Sequence, residues 1–339
     1  MSVKPIEEFH CETVSDFLQQ ISLSTPPFNR KRWAESPWAF RGNGDSFPLV
    51  PSALRPKTRL ITFGFSGRWS MIQPGYATYE HRAECELYTL RVFFQMADRH
   101  GLPLPEDSQL LRHSLISTID RLKDEGEHWP PMDLLSLMAI AQHHGVPTRL
   151  LDWSTDPLTA AYFAAEDASR RVRKEIENPQ NMRLLDSPAN WPASLANKRL
   201  EVWAINLVEA LGSQADDDAG LGSPHIRVVA APRAGNENLY AQRGLFTLPT
   251  EIGPPDWDSR DPYVVVPLEE MVLKWRTLYG ESPFLVRVTL PLCCGPALMR
   301  ALVGHGVTAA RLFPGFDGVV KALRERDYFH ANFADYSFI

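Results

Sequence analysis

The stretch from Leu134 to Ala164 constrains this chain more than any other, because it dictates a helix, a turn, a strand and a second helix in succession. Leu134, Leu135, Leu137, Met138 and Ile140 lie nearly all round the first helix, the pattern of an interior element. Two imidazoles, His143 and His144, close that helix, and Gly145 then offers a left-handed cap ahead of Pro147. A short strand follows through Leu150 and Leu151. The second helix is announced by Ser154, Thr155 or Asp156 as N-cap and by Pro157 in its first turn. Helix starts carry free N–H groups and partial positive charge, so Asp152 to Asp156 is a natural place to hold an anionic or ribose-like ligand.

Around this stretch the pattern is mixed. Apolar spacing predicts a short helix over His10 to Ser22, and Trp38 and Phe40 alternate as in a half-buried strand that ends at Arg41 and a Gly-Asn-Gly-Asp turn. Residues 56 to 78 read as an insertion or flexible loop. Tyr79 to His100 is a long amphipathic helix with Ala83, Leu87, Leu90 and Phe94 near one face and Glu80, Glu84, Glu86 and Arg91 elsewhere. A further helix is expected around residues 108 to 123, and the polar run from Asp167 to Asn197 reads as a helix extension followed by an exposed insertion.

Leu200 to Leu207 alternates as a central strand should, and residues 210 to 224 read as a loop. Strands are expected over 226 to 230 and 284 to 290, and beyond a loop or helical turn at 236 to 247; helices are expected over 296 to 305 and in the last part of 312 to 323. Strands and helices without regular alternation favour an α+β fold over a doubly wound sheet.

Composition excludes more than it assigns. A net charge of −6, from 35 Lys plus Arg against 41 Asp plus Glu, argues against a broad nucleic-acid-binding surface or capture by an anionic membrane. No run approaches the roughly 18 apolar residues that would span a bilayer. Cys11, Cys85 and the adjacent Cys293 and Cys294 form neither a disulfide framework nor zinc-ligand spacing, which favours a reducing cytoplasm. No metal site is predicted. Dinucleotide-fold, P-loop, zincin and serine-elbow motifs are lacking.

Phe40-Arg41-Gly42, Pro51-Ser52-Ala53-Leu54-Arg55, Gln142-His143-His144-Gly145-Val146-Pro147-Thr148-Arg149-Leu150-Leu151-Asp152-Trp153 and Gln242-Arg243-Gly244-Leu245-Phe246 together resemble the FRG domain family. The resemblance spans residues 36 to 250, leaving residues 1 to 35 as an N-terminal helix and loop and residues 251 to 339 as C-terminal strands and helices packed on the same core. It implies a bacterial or phage setting and a toxin or phage-defence role.

A weaker resemblance, to ADP-ribosyltransferases of the Arg-Ser-Glu type, implies a reaction. In that class a first-strand Arg followed by Gly seats NAD, a Ser or Thr motif ahead of a helix braces the nicotinamide half, and a later strand carries a Glu. This chain is similar in order: Arg41-Gly42, then Ser154-Thr155 ahead of Ala161, Phe163 and Ala164, then Gln242 ahead of Gly244. Gln242 stands where the Glu is expected. An amide can hydrogen-bond a ribose hydroxyl but offers no full negative charge to an oxocarbenium-like transition state, and Glu237 is the nearest carboxylate.

The resemblance therefore implies an ADP-ribosyltransferase-like split mixed sheet with flanking helices. Arg41, Gly42, His144, Arg149, Trp153 and Thr155 would bind NAD or a related nucleotide, and Ser154, Gln242 and Glu237 would serve any chemistry at the nicotinamide bond on an unknown macromolecular target. Plainer readings stand beside these. Arg41 is either a phosphate fork or a strand-end partner of a carboxylate such as Asp152, and Arg149 with Asp152 reads as a buried pair. Ser154 and Thr155 are often simple caps, and adjacent His side chains diverge by about 100° on a helix, which disfavours joint chelation. A non-catalytic nucleotide- or protein-recognition module is the alternative function.

Overall fold

The computed structural model describes residues 4–29, 37–61, 69–71, 77–176, 195, 197–218, 225–230, 237–250, 255–274 and 283–328. Most of the insertion expected after Ile176, and parts of the segments expected as loops over 56 to 78 and 210 to 224, lie outside the described residues.

The chain begins with β1 (Ile6–His10), α1 (Val14–Gln20) and β2 (Trp38–Asn43), then a small hairpin of β3 (Arg59–Ile61) and β4 (Trp69–Met71). Helices α2 (Tyr79–Arg99), α3 (Gln109–Glu125) and α4 (Leu135–His143) precede β5 (Leu151–Ser154) and α5 (Pro157–Ile176). There follow β6 (Arg199–Asn206), α6 (Leu207–Asp218), β7 (His225–Val229), α7 (Glu237–Ala241), β8 (Gly244–Thr250), α8 (Leu268–Lys274) and β9 (Leu285–Pro291). Helices α9 (Gly295–Gly304), α10 (Ala309–Leu312) and α11 (Phe316–Glu325) come last. Seven strands form one mixed sheet in the order β1-β9-β6-β2-β5-β8-β7, antiparallel throughout except for the β1–β9 pair. No helix among the described residues is long and apolar enough to cross a membrane.

Burial on both faces explains the centre of the sheet. Alternation along β6 sends Leu200, Val202 and Ala204 toward α5 and α9, and Trp203 and Ile205 to the other face with Leu49, Leu268 and Phe284. Helix α5 lies close on the first face because its contact residues are small. Ala160, Ala161, Ala164, Ala165 and Ala168 are all at most 1% exposed. Opposite them Gly42 has no room for a side chain, since a Cβ there would run into the Ala160 carbonyl and within 2.7 Å of Ala164 N.

Helices α2, α3 and α4 make a second core against Val229, Phe246 and Leu248 of β7 and β8. The apolar surround of α4 is buried as its pattern requires, and Gly145 takes φ +87° just beyond it, with Val146 N bonded back to Ala141 O. Asp156 caps α5, its carboxylate accepting from Leu158 N and Thr159 Oγ1.

The fold departs from the sequence reading in several places, one being the β3–β4 hairpin inside residues 56 to 78, read as an insertion or flexible loop. The segment expected to be helical from His10 is extended at its start, as β1 pairs with β9, and α1 begins only at Val14 behind the Thr13 cap. The segment expected as a loop from residue 210 starts inside α6, because β6 runs straight into a helix whose Val208 N is held by Asn206 Oδ1 and whose Ala210 is buried. Glu86, read as part of the polar side of α2, is 4% exposed. Charge made it look like a surface residue, but α2 is covered from more than one direction.

Candidate functional site

The sheet is continuous on either side of β2 and β5 but hardly between them. Strand β2 pairs with β6 from Trp38 to Asn43, and β5 pairs with β8 from Leu151 to Ser154, whereas β2 and β5 share a single register position, Phe40 opposite Ser154. Beyond it a guanidinium stands where the next ladder bonds would be. Arg41 Nη1 donates to Asp152 O at 2.9 Å and to Asp152 Oδ1 at 2.6 Å. The opening is a cleft of about 390 Å³.

Two further segments reach this opening and lock each other. Ser52 Oγ accepts from Thr148 N at 3.0 Å, Thr148 Oγ1 donates to Gln142 Oε1 at 2.6 Å, and Gln142 Nε2 donates to Leu150 O at 3.0 Å. Gln142 Nε2 also comes to 3.5 Å from Asp152 Oδ1, at the edge of hydrogen-bond range. On the far side Ser154 Oγ donates to Gln242 O and accepts from Asp156 N, and Gln242 Nε2 donates to Leu312 O. Phe40, Phe163 and Phe313 supply apolar wall.

Charge concentrates at the mouth. The Asp152 side chain is 63% exposed, while that of Arg41 is 10% exposed. Although the side chain is mostly exposed, the chain packed around it takes water from the carboxyl and would by itself raise its pKa, but the charge and hydrogen bond of Arg41, with help from Arg55, outweigh this and hold it below the ordinary value. Arg55 is itself lowered by burial and by the neighbouring Arg41. His143 is lowered by burial and by His144, with Asp152 opposing, so its imidazole is neutral at pH 7.

A carboxylate whose folded pKa is depressed contributes stability above its unfolded value and loses it as pH falls through the folded value. The melting-temperature difference between wild type and Asp152→Asn is therefore expected to hold steady well above pH 3.8, the ordinary value, and to shrink as the pH drops below it. Thermal melts across an acid series measure this. A difference that widened toward acid would be the wrong sign.

Of the residues predicted from sequence, Arg41, Gly42, Trp153, Ser154 and Gln242 line the cleft. His144, Arg149, Thr155 and Glu237 are not among its lining residues. His144 is exposed and His143 faces the cleft in its place, the two rings meeting edge-on at 5.4 Å. Trp153 is 3% exposed with its indole N–H donating to Thr247 Oγ1.

The expected Arg149–Asp152 pair does not form. Asp152 is held by Arg41, and Arg149 Nε bonds the Glu86 carboxylate on α2. Successive residues of an extended segment point to opposite sides, so residues three positions apart along it do not share a face. Of the other lining residues Ser52, Gln142, Asp152 and Phe313, sequence reasoning singled out only Asp152, in the Asp152–Asp156 segment and as a partner of Arg41. The first three stand within the quoted motifs, whereas no local signal marks Phe313.

An α/β domain with a mixed sheet flanked by helices, its cleft set where the sheet opens between β2 and β5, is what the fold and site define. Residues 36–173 match the family model of the FRG domain, and the chain thus carries an FRG domain over these residues. That match contains β2, β5 and the motifs that meet at the cleft mouth, while Gln242 and Phe313 come from beyond it. No curated protein matches the chain, nor does any solved structure.

Proposed function

We propose that the cleft between β2 and β5 binds NAD or a related nucleotide, and that this FRG-domain chain is an ADP-ribosyltransferase-like protein with that nucleotide as substrate. The observation that carries the reading is the split itself, with Arg41 at its edge and a single pair of β2 and β5 residues in register. A cleft of about 390 Å³ falls in the range of small-molecule sites, roughly 300–1,000 Å³, and suits one half of a dinucleotide. Arg41 and Arg55 outnumber the one carboxylate beside them, Asp152, which favours an anionic ligand. The phenylalanine wall suits a base or nicotinamide ring.

Chemistry at the nicotinamide bond would draw on the ionised Asp152, the one carboxylate among the described residues lining the cleft, in the place expected for Gln242 or Glu237. Arg41 would hold phosphate, and Ser154 would brace the ribose side through its bonds to Gln242 O and Asp156 N. A toxin or defence role against an unidentified macromolecular target, in a cytoplasmic setting, belongs to the same reading.

One observation favours the recognition-module alternative: the Gln242 amide already donates to Leu312 O, so it is committed to the fold. Calorimetric titration with NAD of wild type and Arg41→Ala, beside a nicotinamide-release assay of wild type and Asp152→Asn, separates the readings. We expect binding that Arg41→Ala loses, and release that Asp152→Asn loses. Binding without release would move the protein to the recognition class, and no binding at millimolar NAD would overturn the nucleotide reading.

A further inference from the structure

A second cavity, of about 300 Å³, lies apart from the cleft between the start of α2 and the segment before α8, and Arg149 is part of its wall. We propose that this cavity is a binding site for a small planar aromatic carboxylate. Its walls include the rings of Tyr79, His128, Trp129 and Tyr263. The Arg149 guanidinium sits between two of them, its Cζ 5.0 Å from the Tyr79 ring centre and 5.6 Å from that of Tyr263.

The charge beneath this aromatic wall does not balance. Arg149, Arg82 and Glu86 are 5%, 5% and 4% exposed, so two buried guanidiniums share one buried carboxylate. Glu86 is moreover fully engaged, accepting from Arg149 Nε with both oxygens and from Trp129 Nε1. Among the described residues Arg149 bonds it through Nε alone, and Arg149 Nη2 and Arg82 Nε are buried without a hydrogen-bond partner there. Burial works to lower the Arg149 pKa, but Glu86 and the two tyrosines raise it overall, so the cation persists. Asp256 and Asp261 lie at the cavity's rim, exposed, and ion-pair with neither guanidinium.

A buried excess of one positive charge is costly unless an anion meets it. The open side of a guanidinium fork matches a carboxylate bidentately, and the flat walls match an aromatic ring stacked or edge-on against tyrosine. Phosphate would satisfy the charge but leave the aromatic walls without a partner.

The site is independent of the nucleotide reading of the cleft. Its test is calorimetric titration of the full chain with benzoate, with benzamide as the uncharged isostere and inorganic phosphate as the charge without the ring. The expected result is saturable benzoate binding, with benzamide and phosphate each weaker by about tenfold or more, the scale of one lost charge-assisted or ring contact. Arg149→Gln should abolish benzoate binding, and Tyr263→Leu, in a segment outside helix and strand, should weaken it if the arginine variant fails to fold. Arg41→Ala, which alters the other cleft, should leave it unchanged. No saturable benzoate binding at millimolar concentration would overturn the proposal, as would binding that Tyr263→Leu spares or that Arg41→Ala removes.

Discussion

Gly42→Ala is expected to unfold or severely destabilise the protein, by more than about 3 kcal/mol, the upper end for overpacking a close contact. The new Cβ would meet the Ala160 carbonyl and Ala164 N, both backbone atoms of α5. A side chain in the way can turn aside; a helix backbone cannot. Relief requires α5 to lift from β2, uncovering Ala160, Ala161, Ala164 and Ala165, each at most 1% exposed. For a chain of this size the loss corresponds to a drop of about 4 °C or more in melting temperature. Thermal and urea unfolding would measure it, and a loss under about 1 kcal/mol would show that α5 is not seated as described. The glycine of the Phe-Arg-Gly motif is thereby explained by helix–sheet approach, while the arginine before it faces the cleft.

Glu86→Gln is the second large effect. It keeps the shape and removes the negative charge shared by Arg82 and Arg149, and it turns one Glu86 oxygen into a donor that faces donors. Breaking a buried ion pair from one side costs about 3–5 kcal/mol, because the remaining charge stays buried without its partner. Urea denaturation should show a loss of that order. Adding Arg149→Met to Glu86→Gln removes one stranded cation, and the double variant should be more stable than Glu86→Gln alone. If the two losses simply summed, Arg149 and Glu86 would not be coupled, against their 2.9 Å contact.

These two effects differ in how far they could be read from the chain. Gly42 belongs to a recognisable motif, but its constraint comes from Ala160 and Ala164, more than a hundred positions later. Glu86 sits on an amphipathic helix at a position that charge alone assigns to solvent, and its partners Arg149 and Trp129 arrive from separate segments. The same distance defeated the Arg149–Asp152 pairing, which chose the nearest opposite charge in sequence when each residue had a partner far away. At the cleft, Arg41, Gly42, Ser154 and Gln242 were found through motif order, whereas Phe313 completes the wall from a segment with no distinguishing pattern.

Local pattern by itself determined the elements whose burial is periodic: the interior helix α4 and its Gly145 turn, the capped α5, the amphipathic α2 and the doubly buried β6. It also pointed to the FRG domain, whose family model residues 36–173 match. Only the tertiary structure decided that β1 closes the sheet beside β9, that the sheet opens between β2 and β5, and which guanidinium meets which carboxylate. The physical reason is range. Hydrophobic periodicity and capping act over one or two turns of chain, whereas strand order and buried ion pairs depend on how separately formed elements approach in space.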